Sequence, residues 1–241
     1  MKLCRFELLE AEGIARSGIF HESKVYETNG EKAIGIHDLS KVKFLPPVSK
    51  PPTIRAFRED GTYEYLSNAT LLGPLHSYTM PPSIGEMEIE ARVAAVVKDR
   101  GESVGPEEAH GFLLGFTNCI RFKHTVDGLP QDLGLAIGPF LHTLEDFKEY
   151  DEGAQAPISW RWELIVDKKQ RYANEETGAL EPLKAIELAS RTNAIQSGDL
   201  LLLPPLSHPP LLETSLERNV LPGDEVAIGF ERLGFLLVHV E

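Results

Sequence analysis

Residues Glu88–Lys123 read EIEARVAAVVKDRGESVGPEEAHGFLLGFTNCIRFK, and this stretch decides how the rest of the chain is read. It starts acidic, with Glu88 and Glu90 following Glu86, and then turns apolar. That is the pattern of a strand that leaves a solvated entrance for a core, and it predicts a strand over Glu88–Val97. After the Gly105-Pro106 break, GPEEAHGFLLGF places acidic residues where a helix prefers them. A helix is therefore expected there, with Phe112 and Leu113 facing inward. FTNCIRFK returns as a second strand that ends basic. Alternate strand residues point the same way, so Cys119, Arg121 and Lys123 share one face.

Working outward, the bulk composition bounds the function. The chain has 241 residues, 42% hydrophobic and 25% charged, which suits a soluble globular protein with a sizeable core. Its formal net charge is −13. That charge opposes nucleic-acid binding through phosphates and adsorption to an anionic membrane, though not a small anion in a locally basic pocket. No apolar run approaches a membrane span. MKLCRFELLE sets Arg5 and Glu7 where a signal peptide needs its apolar core, so a cytoplasmic location is expected. Two cysteines far apart, Cys4 and Cys119, argue against a disulfide framework.

In chain order, residues 1–50 read as a small β unit of short strand-like segments (KLCRFELL, GIARSGIF, KVYETN, KAIGIH), a packing or dimerisation module. The proline-rich FLPPVSKPP (44–52) is the expected joint, and residues 51–241 form the main domain. ISWRWELIV alternates strictly, so Ile158, Trp160, Trp162, Leu164 and Val166 share a core face. PLKAIELASRTNAI predicts a second helix opened by Pro182. GDLLLL and PGDEVAIGFERLGFLLVHV supply the last strands, the latter folded about a Glu231–Gly234 turn. The acidic run Glu145–Glu152 reads as a solvated face.

Several segments together resemble the fumarylacetoacetate hydrolase family. They are YLSNATLLGP, EARVAAVVKDRGESVGPEEAHGFLLGFT, Ile137-Gly138-Pro139-Phe140, SGDLLLL and LPGDEVAIGFERLGFLLVHV. The resemblance runs from about Pro51 to the end, more weakly before it. It implies a mainly β (α+β), multilayer fold with two short helices and a small N-terminal β unit, assembled as a homodimer. It also implies ancestral C–C hydrolysis, decarboxylation or isomerisation of 2-oxo dicarboxylic acids with a divalent metal.

The departures bear on function. The family holds its cation with a Glu-x-Glu on the first strand and an Asp on the second, a hard-oxygen set that Mg²⁺ or Mn²⁺ requires. In the gapless register Glu90 takes the first position, Arg92 the second and Arg121 that of the Asp. A two-residue shift would give Glu88 and Glu90, with Asp132, as an alternative metal set. The family's catalytic histidine is missing from AFREDGTYEY, and its lysine corresponds to Leu129, while its aspartate survives as Asp132. The preferred reading is a metal-independent protein, with no cofactor, that binds a small anion (a 2-oxo or dicarboxylic acid) through Glu90, Arg92, Arg121 and Lys123. It would be a pseudoenzyme of its family. A guanidinium paired with Glu90 as structural repair is the plainer account of the same residues. The alternative is an active hydrolase or decarboxylase using Mg²⁺ or Mn²⁺. Asp132 and His208 are the candidate catalytic residues. A nucleophilic Cys119 beside His124 is the sharper reading of a residue more simply taken as buried filler.

Overall fold

The computed structural model describes residues 1–30, 32–126, 129–147, 158–208, 211, 214 and 216–241, with Leu129 and Pro130 described by backbone alone. The distal part of the acidic run, residues 148–152, and the side chain of Leu129 lie outside the described residues.

In chain order the strands of the first half are β1 (Lys2–Leu8), β2 (Ala11–His21), β3 (Lys24–Asn29), β4 (Lys32–Asp38), β5 (Val42–Leu45), β6 (Ile54–Phe57), β7 (Tyr63–Leu66), β8 (Leu71–Leu72), β9 (Ser77–Tyr78) and β10 (Glu88–Val97). The second half adds β11 (Leu113–Val126), β12 (Leu129–Ile137), β13 (Leu141–Thr143), β14 (Ser159–Val166), β15 (Lys169–Thr177), helix α1 (Pro182–Thr192), β16 (Leu200–Leu202), β17 (Glu225–Phe230) and β18 (Gly234–Val240). Among the described residues these strands form two sheets. The larger runs β4-β3-β2-β1-β13-β11-β10-β16-β6-β7, with β12 added on β11, β5 on β1 and β8 on β12. The smaller runs β15-β14-β17-β18-β9. The mainly β, multilayer fold expected from the sequence is the one found. β1 pairs with β13, so the sheet continues from the N-terminal unit into the rest of the chain.

The period-2 pattern explains how the layers meet. On β14 the side chains of Trp160, Trp162, Leu164 and Val166 are buried, and they pack with Phe116, Ile120 and Phe122 of β11 in the principal core. Phe116 and Trp160 meet edge-on with ring centroids 5.9 Å apart. Tyr78 stacks on Phe122 at 4.9 Å. Burying one such aromatic side chain is worth roughly 2–3 kcal/mol. Helix α1 forms where predicted, with Pro182 in its first turn and Glu181 in extended conformation before it. Its buried residues include Leu183, Ala185, Ile186 and Ala189, spaced as one helical face.

The helix expected over GPEEAHGFLLGF is corrected. Only a 3-10 turn forms, Ala109–Phe112, and Leu113 already begins β11. The apolar residues taken for an inward helical face are used by the ladder instead, with Val97 opposite Leu113 and Ala95 opposite Phe116. Tertiary pairing overrides weak local propensity here. Gly115 fits the same picture, because a Cβ there would collide with the carbonyl of His142 on the other side of β11.

Candidate functional site

β10 and β11 are antiparallel with Glu88 opposite Lys123, Glu90 opposite Arg121 and Arg92 opposite Cys119. This register places an acid against a base twice on one face, a stabilising cross-strand arrangement. The opposite face carries Ile89, Ala91, Ile120 and Phe122 into the core. The four ligand candidates named from the sequence, Glu90, Arg92, Arg121 and Lys123, therefore stand together, with Glu88 and Asp132 beside them.

Their contacts are dense. Arg92 is 3% exposed. Its Nε and Nη2 donate to Glu90 Oε2 at 2.9 and 2.8 Å. Its Nη1 donates to the carbonyl oxygens of Phe57 at 2.9 Å and Leu203 at 3.0 Å. Arg121, 4% exposed, reaches three carboxylates. Nε donates to Asp132 Oδ1 at 3.1 Å, and Nη1 lies 3.0 Å from Glu64 Oε1 and 3.5 Å from Glu90 Oε2. Its Nη2 has no partner among the described residues. Lys123 Nζ bridges Glu90 at 3.0 Å and Glu88 at 3.3 Å, and Thr125 donates its hydroxyl to Glu88 at 2.8 Å.

Burial raises the Glu90 carboxyl, but Arg92, Lys123 and Arg121 pull it down further, so it stays below the ordinary carboxylate range. Asp132 goes the other way. Burial pushes it up, the Arg121 contact offsets part of that, and Glu64 and Glu90 add like charge. Burial works against the charge on Arg121, but its carboxylates more than compensate, and its pKa is raised.

The remaining candidates resolve differently. Cys119 is fully buried, burial pushes its thiol up to about 12, and Sγ donates to the Arg92 carbonyl oxygen at 3.4 Å. A thiol in that state is a core filler, not a nucleophile. The Nε2 of His208 lies 3.3 Å from the carbonyl oxygen of Ile89, and its ring is 6.1 Å from Trp162. It lines a cavity of about 520 Å³ with Glu59, Glu88, Glu90 and Lys123, under the loop Pro205–Ser207. A second cavity of about 230 Å³ lies against Arg58, Glu64, Arg92 and Arg121. The two share Glu59, Glu90, Lys123 and Pro205, so they form one cleft over the ion pairs.

Glu64, Arg58 and Glu59 were not singled out from the sequence. The signal available for Glu64 was the alternation of β7, where Tyr63 and Tyr65 flank it on the opposite face. Arg58 and Glu59 sit in a turn, where no periodicity places them.

The donor set does not suit a divalent cation. Each carboxylate of the set (Glu64, Glu88, Glu90, Asp132) is already engaged by arginine or lysine, which compete with a metal for the same oxygens. Among the described residues no three His, Cys, Asp or Glu side chains are gathered so as to hold a metal ion. No helix among the described residues is long and apolar enough to cross a membrane.

No family model and no curated protein matches the sequence. Solved structures do match it over its whole length. A 5-carboxymethyl-2-hydroxymuconate delta-isomerase from Mycobacterium smegmatis superposes with a TM-score of 0.77 at 16% identity, covering 100% of this chain and 98% of that one. A 2-hydroxyhepta-2,4-diene-1,7-dioate isomerase from Mycobacterium marinum gives 0.77 at 16% identity, with the same coverage. A maleylpyruvate hydrolase from Sphingobium sp. SYK-6, in complex with manganese(II) ion and pyruvate, gives 0.75 at 17% identity, again covering 100% and 98%. At such identities the likeness speaks for architecture. These neighbours are fumarylacetoacetate hydrolase-family enzymes, and this chain has their fold from end to end.

Proposed function

We propose that this chain binds a small organic acid in the cleft over β10 and β11 without a divalent metal, and that it does not carry out metal-dependent C–C bond chemistry. One observation supports this reading above others: Glu90 is shared by Arg92, Arg121 and Lys123, so the charge a cation would supply is supplied by side chains. The Nη2 of Arg121 is left to meet a ligand carboxylate, which guanidinium groups match well. A 2-oxo acid is the first class to try, because the Sphingobium hydrolase holds pyruvate.

The alternative, an Mg²⁺ or Mn²⁺ site on Glu88, Glu90 and Asp132, requires Lys123, Arg121 and Arg92 to release these carboxylates. The test is calorimetric titration of pyruvate and oxalate with and without EDTA. The expected result is binding that EDTA leaves unchanged and that Arg121→Ala weakens. Binding that appears only with Mn²⁺, or a stoichiometric cation that Glu88→Gln removes, would sink the proposal.

A further inference from the structure

We infer that the ligand of this cleft is a zwitterion, a small acid that also carries an ammonium group. The inference rests on the small-acid reading above and narrows its ligand class.

The charges along the cleft are not evenly spread. Arg58, Arg92 and Arg121 all line the narrower cavity, and no arginine lines the wider one. The buried Arg121 has its Nε and Nη1 committed to three carboxylates, while its Nη2 has no partner among the described residues. Arg58 touches Glu64 only at 3.6 Å and is 57% exposed, so it too can turn to an anion. This end takes a carboxylate.

The wider end has the opposite character. Glu59 lines both cavities and makes no ion pair or hydrogen bond among the described residues. Glu88 lines the same end, and its one cationic partner among the described residues, Lys123, is shared with Glu90. A second ligand carboxylate placed here would face Glu59 and Glu88. An ammonium group would pair with them. Ile89, Leu206 and Leu211 supply an apolar wall for the methylenes between the two charged ends. Arg58, Arg92, Arg121 and Lys123 stand against Glu59, Glu64, Glu88 and Glu90 along the lining, and Asp132, paired with Arg121 beside them, is a fifth carboxylate against four cations. A zwitterion adds no net charge to this slightly acidic set, whereas a dianion adds two negative charges to it.

The experiment compares acids that share a skeleton: butyrate, succinate and 4-aminobutyrate, with their three- and five-carbon counterparts. Binding to the full chain is followed by calorimetry and by NMR at low ionic strength. The amino acids are expected to bind about 10-fold tighter than the diacids, the scale of one partly exposed ion pair gained against one repulsion avoided. Glu59→Gln should reduce the ratio of 4-aminobutyrate to butyrate affinity by about 3–5-fold. Arg58→Gln, an exposed substitution that leaves the core intact, should weaken every acid of the series.

Diacids binding as tightly as the amino acids would overturn the zwitterion while leaving the small-acid site standing. So would an affinity ratio that ignores Glu59→Gln. Failure of all the acids to bind, or binding indifferent to both variants, would overturn the site itself.

Discussion

The two faces of the β10–β11 ladder are built from the same two strands and share every backbone hydrogen bond, yet they are chemically opposite. Toward the second sheet, Ile89, Ala91, Ile120 and Phe122 join the principal core. Away from it, Glu88, Glu90, Arg92, Arg121 and Lys123 form a partly covered lattice of ion pairs. The apolar face is stabilised by area removed from water, and its aliphatic and aromatic side chains carry no titratable charge of their own. The charged face is held by cancellation, and cancellation fails when any one member is lost. The sheet thus separates a part of the molecule held by volume filled from one held by charges matched.

The largest expected effect breaks the apolar side. Phe122→Ala removes a fully buried ring that stacks on Tyr78, and urea unfolding should show a loss of about 3–5 kcal/mol, with acid binding retained at temperatures where the variant is folded. A loss below about 1 kcal/mol would mean that this face is not the core that it resembles.

The next effect comes from bringing charge to the apolar side. His142 lies opposite Phe116 and is 2% exposed. Burial and the nearby Lys2 push its imidazole down to about 4, against the pull of Asp146 at 3.3 Å. The folded protein keeps it neutral where the unfolded chain already binds a proton. Its stabilising contribution is therefore complete above the ordinary histidine value of 6.5 and is lost as pH falls from there toward 4. The loss across that window should be roughly 3 kcal/mol. In chemical denaturation at pH 7 and pH 5, His142→Asn should show a smaller pH-dependent change than the parent. Parallel pH profiles would remove His142 as the cause.

On the charged side, Arg121→Ala takes the close cationic partner from Glu64 and Asp132 around the space that the guanidinium filled, while Glu90 keeps Arg92 and Lys123. A loss of about 2–3 kcal/mol is expected, less than for a sealed pair because Glu64 and Asp132 keep some water. This variant also sharpens the comparison. Mn²⁺ should leave the melting temperatures of both the variant and the parent unchanged, because Glu90 stays paired with Arg92 and Lys123 and only two carboxylates lose their arginine. A parent protein stabilised by Mn²⁺ would contradict the cancellation account. The smallest effect is reserved for Arg161, whose pairs with Glu175 and Glu231 are 57–62% exposed on both partners. Arg161→Ala should leave the midpoint of the same unfolding transition indistinguishable from the parent's.

Much of this architecture was legible in the residues, and the reasons are particular. The alternation of Ile158 through Val166 named a buried face because period 2 is a property of the strand itself. Alternation put Arg121 and Lys123 on one face of their strand, but it was the family resemblance that grouped them with Glu90 and Arg92. What could not be read depended on partners far away in sequence. Glu64 reaches Arg121 across 57 positions, and Arg92 finds its carbonyl partners at Phe57 and Leu203. The misplaced helix at 105–116 had the same origin, since the residues that would have filled its inner face were claimed by β10.

Arg92 carries one further consequence, for the routes by which this sequence can change. It is the donor for two backbone carbonyls that come from different strand ends, and it holds Glu90 at the same time. An acid introduced at position 92 would leave Phe57 and Leu203 without that donor and set a second carboxylate beside the first. Lysine could keep the charge but has no fork with which to serve three acceptors at fixed angles. An acidic pair on this strand therefore demands several coordinated substitutions, each harmful alone. The arginine works as a lock: with its carbonyl partners in place, a single substitution to an acid at position 92 costs more than the one contact it removes.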